Sequence, residues 1–148
     1  MSYHEKRALL SFISIPAILG SYSLFVYAHY QDVILSNPND FKFWGKIYLI
    51  LISVSIVANI IIAIIFMAIN KMITHENVPY FSDERDKFIE LKAIRVSHWT
   101  FVIGFTLSMG SQAIGMQPWV MFITLAASGF FSATAAELTK FYLYRKGF

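Results

Sequence analysis

The sequence contains no cysteine, and this absence excludes several kinds of chemistry at once. Without a thiol the chain forms no disulfide, no thiolate nucleophile, no thioether link to haem and no cysteine-ligated zinc site. Charged residues are also scarce, at 14 % of the chain against roughly 25 % in an average soluble domain, whereas 57 % of the residues are hydrophobic. This balance indicates a protein that folds in a lipid bilayer.

Charge is almost absent from four long runs of the chain. These runs cover 8–30, 47–70, 96–114 and 118–137, and each is close to the ~20 residues with which a helix crosses a bilayer. They predict an all-α membrane protein whose single domain, 1–148, is an antiparallel bundle of four transmembrane helices. Cleavage of the first run as a signal peptide is the less favoured alternative, because such segments hold only roughly 7–15 apolar residues.

The basic residues are distributed unevenly between the loops. Ten of the twelve Lys and Arg residues precede the first run, separate the second from the third or follow the fourth, and only Lys42 and Lys46 lie elsewhere. By the positive-inside rule, both termini and the central polar segment face the cytoplasm. The net charge of +3 is therefore a topology signal. The lipid bilayer, including its anionic headgroups, is the expected partner, and no direct nucleic-acid binding is expected.

One segment, Ser82–Ser97, is dense in charge and reads SDERDKFIELKAIRVS. Asp83, with a second acid three residues later, is typical of a helix N-cap, and acids early with bases late suit the helix dipole. No charge follows Arg95 until Glu137. The pattern predicts a cytoplasmic helix over 82–95 that is continuous with the third span.

This helix is the predicted contact surface for a protein partner at the cytoplasmic face. Phe88, Leu91 and Ile94 recur at helical spacing and form an apolar stripe that suits a partner or a membrane surface. The predicted contact residues are Arg85, Lys87, Phe88, Leu91 and Lys92. An ion pair between Arg95 and Glu137 would fasten the helix to the fourth span; the alternative is that both side chains reach water without meeting.

Ionisable side chains are missing from the deep part of every predicted span, which argues against catalysis. Intramembrane proteolysis needs paired aspartates, a serine with a general base, or an HExxH zinc motif, and no span offers any of these. His29 ends the first span at one side, whereas His98 begins the third at the other, so the two cannot share a ligand. We therefore expect no enzymatic activity, no cofactor and no metal site.

The polar groups that remain at depth are amides and hydroxyls. Asn59 lies near the middle of the second span, and Ser21, Ser108 and Ser128 lie at comparable depth on the other three. The preferred interpretation is an interhelical hydrogen bond from Asn59. The alternative is a polar pore lining formed with Ser108 and Gln112, which requires a ring of several chains and hence a homo-oligomer.

The third and fourth spans carry small residues at helical spacing. Gly104 and Ser108 on the third, with Gly129 and Ala133 on the fourth, predict a close contact between the two helices. The connection at 115–118 is too short to hold a domain. The two spans are therefore predicted to form an antiparallel hairpin.

The stretch PYFSDERDKFIELKAIRVSHWTFVIGFTLSMG resembles the central signature of a family of small, uncharacterised bacterial four-span membrane proteins. The recurring motif of that family, S-D-E-R-D-K-x-I-E-L-K-A-x-R-x-S, corresponds here to Ser82–Ser97. Residues 3–7 and 40–46 are also similar, so the likeness covers most of the chain. The resemblance implies a multi-pass protein of the bacterial inner membrane. It supplies no catalytic residue, because the family has no assigned reaction.

Three functions are compatible with these features. The preferred hypothesis is a non-enzymatic accessory or sensor protein of the inner membrane that contacts a partner through helix 82–95, with a change in the third and fourth spans shifting that helix. The second is an oligomeric transporter or channel for a small or apolar solute. The third is an immunity or toxin-resistance protein, for which no particular residue speaks.

Overall fold

A computed structural model describes residues 3–74 and 83–147, and within that part of the chain every regular element is an α-helix. The helices are α1 (Tyr3–Ser36), α2 (Phe41–Thr74), α3 (Glu84–Ala113) and α4 (Pro118–Lys146). Three of the four, α1, α2 and α4, are long and apolar enough to cross a membrane. The chain is therefore an all-α membrane protein. α3 does not join this group, because charged residues fill its first turns and polar residues interrupt its apolar part.

The connection between α1 and α2 is a tight turn held by local hydrogen bonds. Asp40 Oδ1 accepts from the backbone N–H groups of Lys42 and Phe43, at 2.9 and 3.2 Å, and so caps the start of α2. The Trp44 indole donates to the carbonyl of Pro38 at 2.7 Å. These bonds fix where α2 leaves the turn.

α1 is longer than the first predicted span. The prediction ended that span at residue 30, whereas α1 continues to Ser36. At Tyr30 the backbone leaves helical geometry, with φ −124° and ψ 17°, and the helix then resumes. Residues 31–36 thus form a bent continuation of the helix, and the connection to α2 is shorter than predicted.

The helices pack side by side in the order α3, α4, α1, α2. Among the described residues, α3 contacts α4 alone, α4 also contacts α1, and α2 packs on α1 and touches α4 at only a few positions. One such position is Phe122, whose ring lies against those of Trp44 and Tyr48. The arrangement is more open than the predicted bundle, and α2 exposes most of its surface.

Aromatic contacts bring the start of α1 to the end of α4. The His4 ring stacks on the Tyr144 ring, with the ring centroids 5.2 Å apart. The centroid of the Tyr3 ring lies 5.4 Å from that of Phe66, near the end of α2. The Tyr144 hydroxyl donates to Asp86 in the first turn of α3. The start of α1, the end of α2, the start of α3 and the end of α4 therefore meet at one end of the molecule.

α3 and α4 approach each other closely at Gly104. A Cβ atom at Gly104 would overlap the Ser128 hydroxyl and would lie 3.2 Å from the Ser128 Cα. The buried residues on the two helices are Ile89, Ala93, Ser108, Ser111, Ser128, Ser132 and Leu143. We call this contact the α3–α4 seam. It confirms the predicted packing of small residues at Gly104 and Ser108, which lets two backbones approach in a membrane. On α4, however, Ser128 and Ser132 make the contact, whereas the predicted Gly129 is exposed and has nothing within 4 Å of its Cβ position.

Hydrogen bonds between the helices fix the register of the seam. Ser108 Oγ donates to the carbonyl of Met121 at 2.9 Å. The hydroxyls of Ser97 and Ser132 are 2.7 Å apart, and Ser132 Oγ also lies 3.0 Å from the carbonyl of Ser97. The two links are eleven residues apart on each helix, about three turns. α3 and α4 are therefore antiparallel and keep one register along the seam.

The turn between α3 and α4 depends on one glycine. Gly115 has φ +79°, in the left-handed region that most side chains avoid. The Met116 N–H donates to the carbonyl of Ser111 at 2.9 Å, and Pro118 then opens α4 at a position where its missing N–H costs nothing. The turn reverses the chain within a few residues, as the predicted hairpin requires.

We predict that Gly104→Ala destabilises the seam. The added methyl group overlaps Ser128, so the helices have to move apart, and the free energy of unfolding is expected to fall by about 1–3 kcal/mol. The measurement is loss of helix signal in circular dichroism as SDS is titrated into the detergent-solubilised protein. Gly129→Ala is the matched control, because nothing lies within 4 Å of its Cβ position. Equal stability of the two variants would contradict the role assigned to Gly104.

Candidate functional site

The charge-dense residues 84–95 form the first three turns of α3. We call residues 84–95 the charged segment. Asp83 caps it: Asp83 Oδ1 accepts from the Glu84 N–H at 2.7 Å, and Asp86 Oδ2 accepts from the Asp83 N–H at 3.2 Å. This capping box confirms the N-cap predicted at Asp83. Ser82, the first residue of the predicted helix, lies outside the described residues. The helix continues unbroken to Ala113, so the charged segment and the apolar part of α3 form one rod.

Two apolar side chains and one hydrogen bond hold the charged segment on α4. Ile89 and Ala93 have no exposed surface, and since α3 contacts α4 alone among the described residues, they are buried against α4. Leu143 of α4 is buried as well. The Tyr144 hydroxyl donates to Asp86 Oδ1 at 3.1 Å. The end of α4 therefore supports the charged segment over its whole length.

The sequence reasoning missed Ile89 and Ala93, although a signal for them exists. Their spacing of four continues to Ser97, and the small residues Gly104 and Ser108 of the seam follow on the same side seven and eleven residues later. Tracing that row backwards from the membrane part of α3 would have identified them as the buried side. The stripe of Phe88, Leu91 and Ile94 that the sequence suggested lies outside the seam.

The predicted contact residues occupy the exposed side of the charged segment, which we divide into two neighbouring faces. One face, which we call the outer face, carries Lys87, Leu91 and Ile94; Leu91 is 65 % exposed and Ile94 56 %. The neighbouring face, which we call the groove face, carries Arg85, Phe88, Lys92 and Arg95. Lys92 is half-buried, and its Nζ lies 4.5 Å from the centroid of the Phe88 ring.

A groove of about 470 Å³ runs between the groove face and α4. It is lined by Lys92, Arg95, Val96, Leu138, Tyr142 and Leu143. The two cations come from α3, and the aliphatic side chains come from both helices. We call it the α3–α4 groove.

The predicted ion pair between Arg95 and Glu137 is not formed. Glu137 Oε1 instead accepts from Lys140 Nζ at 2.7 Å, and in the described part of the chain no ion pair joins Glu137 to Arg95. Lys140 is one turn along the same helix, so this pair forms without ordering a side chain from another helix. The seam and the Tyr144 hydrogen bond attach the charged segment to α4 without it.

The predicted intramembrane contacts of Asn59 are also not formed within one chain. Asn59 is exposed, and its Nδ2 donates to the carbonyl of Ser55 at 2.8 Å, one turn earlier on α2. Ser21 and Ser128 likewise donate to carbonyls of their own helices. Ser108 is fully buried in the seam, and α2 does not touch α3 among the described residues. Local carbonyls compete successfully for these donors because they are always within reach.

Gln112 completes the predicted set, and it lies near the turn after α3. Its Nε2 is 3.3 Å from Ser111 Oγ and 3.4 Å from the carbonyl of Gln117. The proposed pore-lining residues Asn59, Ser108 and Gln112 therefore share no surface within a single chain. Over the residues that the structure describes, no three His, Asp or Glu side chains are grouped as a metal site would need.

A second cavity, of about 340 Å³, lies between α1, α2 and α4. Its polar groups are the Trp44 indole and the hydroxyls of Tyr22, Ser23, Tyr27 and Tyr48, set among aliphatic side chains. The Tyr22 hydroxyl donates to the carbonyl of Ile47 at 2.8 Å, and the indole is bonded within the turn before α2. The Tyr22 bond ties α1 to α2, so this side of the cavity has a structural role.

Comparison with protein-family models, with curated proteins and with solved structures found no match. The function is therefore argued from the charged segment, its support on α4 and its two exposed faces.

We predict that Tyr144→Phe loosens the start of α3. The variant loses a hydrogen bond to a carboxylate, worth about 1 kcal/mol, so amide hydrogen exchange at residues 84–90 is expected to be roughly fivefold faster. Tyr142→Phe is the control on the same helix, because the Tyr142 side chain is 59 % exposed. Unchanged exchange in Tyr144→Phe would show that the hydrogen bond does not hold the segment.

We predict that Asn59→Leu leaves the monomer as stable as before, within about 0.5 kcal/mol, or stabilises it, because Asn59 bonds only to its own helix and exposes its amide. Ser108→Ala, which removes a hydrogen bond across the seam, is expected to cost about 0.6 kcal/mol or more. Both are measured by SDS titration. If Asn59→Leu instead lowered the mass in detergent solution, the amide would be contacting a second chain.

Proposed function

We propose that the protein is a non-enzymatic accessory or sensor protein of the bacterial inner membrane, and that it contacts a protein partner through the outer face of the charged segment. The observation that carries this proposal is the combination of rigid support and exposure. The segment is capped at Asp83 and held by Ile89 and Ala93, yet it leaves Leu91 and Ile94 more than half exposed. A surface fixed in advance loses little entropy when a partner binds.

The proposal includes four membrane crossings with both termini in the cytoplasm. α3 lies antiparallel to α4 in one register, so a bilayer crossed by α4 is crossed by the apolar part of α3 as well. Ile103 and Leu107 of α3 are exposed by 60 % and 63 %, which suits a surface that faces lipid. The distribution of Lys and Arg then favours the cytoplasm for the charged segment.

The mechanism that we propose uses the continuity of α3. Because one helix runs from the charged segment to Ala113, a displacement of its membrane part moves the outer face with it. The links of Ser97 to Ser132 and of Ser108 to Met121 oppose such a displacement. A signal would have to stabilise a second arrangement of the seam. A partner that binds one arrangement more tightly than the other would then respond to the signal.

The transporter and immunity alternatives stay predictions. Ser108 is buried in the seam, and α2 does not contact α3 among the described residues. Neither observation favours a pore or a solute path within one chain. An oligomeric pore would need a surface that includes α2, and Asn59 is the residue with which it would be tested.

The partner surface is tested by photo-crosslinking in native membranes. A photoreactive amino acid in place of Leu91 is expected to give an adduct of one discrete mass. The matched control is the same amino acid in place of Leu35, which is 77 % exposed and lies at the end of α1 that is far from the charged segment. It is expected to give no adduct. Lys87→Glu on the outer face should reduce the Leu91 adduct at least tenfold, whereas Lys42→Glu should leave it unchanged. The proposal would be contradicted if Lys87→Glu left the yield of the Leu91 adduct unchanged, or if an adduct also formed from position 35.

A further inference from the structure

The α3–α4 groove combines an apolar floor with a cationic rim. Val96, Leu138 and Leu143 provide aliphatic surface, and Lys92 and Arg95 stand at the edge. Its volume of about 470 Å³ is within the ~300–1,000 Å³ typical of pockets for small molecules. A ligand that fits such a groove has an apolar part and an anionic part.

The groove is lined by two cations, and the acid that adjoins it on α4 is paired within its own helix. Lys92 and Arg95 are three residues apart, so they lie on the same side of α3. Arg95 is exposed and has no ion pair within the described ranges. Glu137, next to Leu138 on α4, is neutralised by Lys140. An anion at the rim would therefore meet two cations.

The groove lies at the depth where phospholipid headgroups are found. Arg95 is the last charged residue before the apolar part of α3, and Trp99 follows it one turn later, 60 % exposed. On α4, Tyr142 is 59 % exposed and lines the groove. Trp and Tyr are enriched at membrane interfaces, next to the Lys and Arg residues that reach the headgroups.

We propose that the α3–α4 groove binds an anionic phospholipid of the membrane in which the protein sits. The phosphate and the anionic headgroup contact Lys92 and Arg95, and an acyl chain covers Val96, Leu138 and Leu143. A free phosphate ion would satisfy the rim and leave the aliphatic floor exposed to water, so the lipid is the better match. The proposal rests on the crossing of α3 and not on a protein partner, since none of the residues that line the groove belongs to the outer face.

The test is native mass spectrometry of the full chain in a neutral detergent, titrated with phosphatidylglycerol or with phosphatidylcholine of the same acyl chains. Phosphatidylglycerol is expected to bind at least tenfold more tightly. Lys92→Gln with Arg95→Gln is expected to weaken its binding about 30-fold, the factor that corresponds to about 1 kcal/mol for each basic residue. Lys42→Gln with Lys46→Gln is the control, because both side chains are exposed near the other end of the molecule.

A second variant separates the role of the apolar floor from that of the cationic rim. Val96→Trp fills the groove and keeps both cations, and it is expected to abolish the preference for phosphatidylglycerol. If circular dichroism shows that Val96→Trp loses helix, Thr139→Phe, which fills the groove from α4, is used instead. An excess of inorganic phosphate is expected not to displace the lipid. Equal binding of the two lipids, lipid retention by the filled variant, or displacement by inorganic phosphate would each overturn the proposal.

Discussion

The close approach of α3 to α4 at Gly104 is the constraint on which the rest of the structure depends. With no side chain at that position, the two backbones come near enough for serine hydroxyls to bond across the seam. Those bonds fix the register of α3 against α4. The same register places Asp86 beside Tyr144, which lies more than twenty residues beyond Met121 along α4. The position of the charged segment on α4 therefore follows from packing in the middle of the hairpin.

How much the sequence predicts depends on whether a feature is local. The N-cap at Asp83 and the small-residue packing at Gly104 follow from short patterns, and both are present. The helix that contains the first predicted span continues past Tyr30 to Ser36, which the run of uncharged residues did not predict. The partners of Asn59 and Glu137 could not be predicted, because they depend on how each helix is rotated about its axis, and a group one turn away on the same helix was available to both.

The separation of the charged segment into two faces gives its composition a physical reason. The segment Ser82–Ser97 holds four acidic and four basic residues. Asp83 and Asp86 are used in the cap, and Asp86 also accepts the bond from Tyr144. The cations at Lys92 and Arg95 then remain on the groove side, apart from the outer face. Two of the four acids hold the helix in place, and Arg95 is presented to its surroundings.

The way in which the hairpin satisfies its own polar groups has a consequence for biogenesis. Ser97, Ser108 and Ser132 find acceptors within α3 and α4, and the turn at Gly115 closes the pair without help from other segments. The hairpin of α3 and α4 can therefore form, with these polar groups bonded, before α1 and α2 pack against it. α1 then packs along α4, and α2, which touches α4 at only a few positions, is attached mainly through α1.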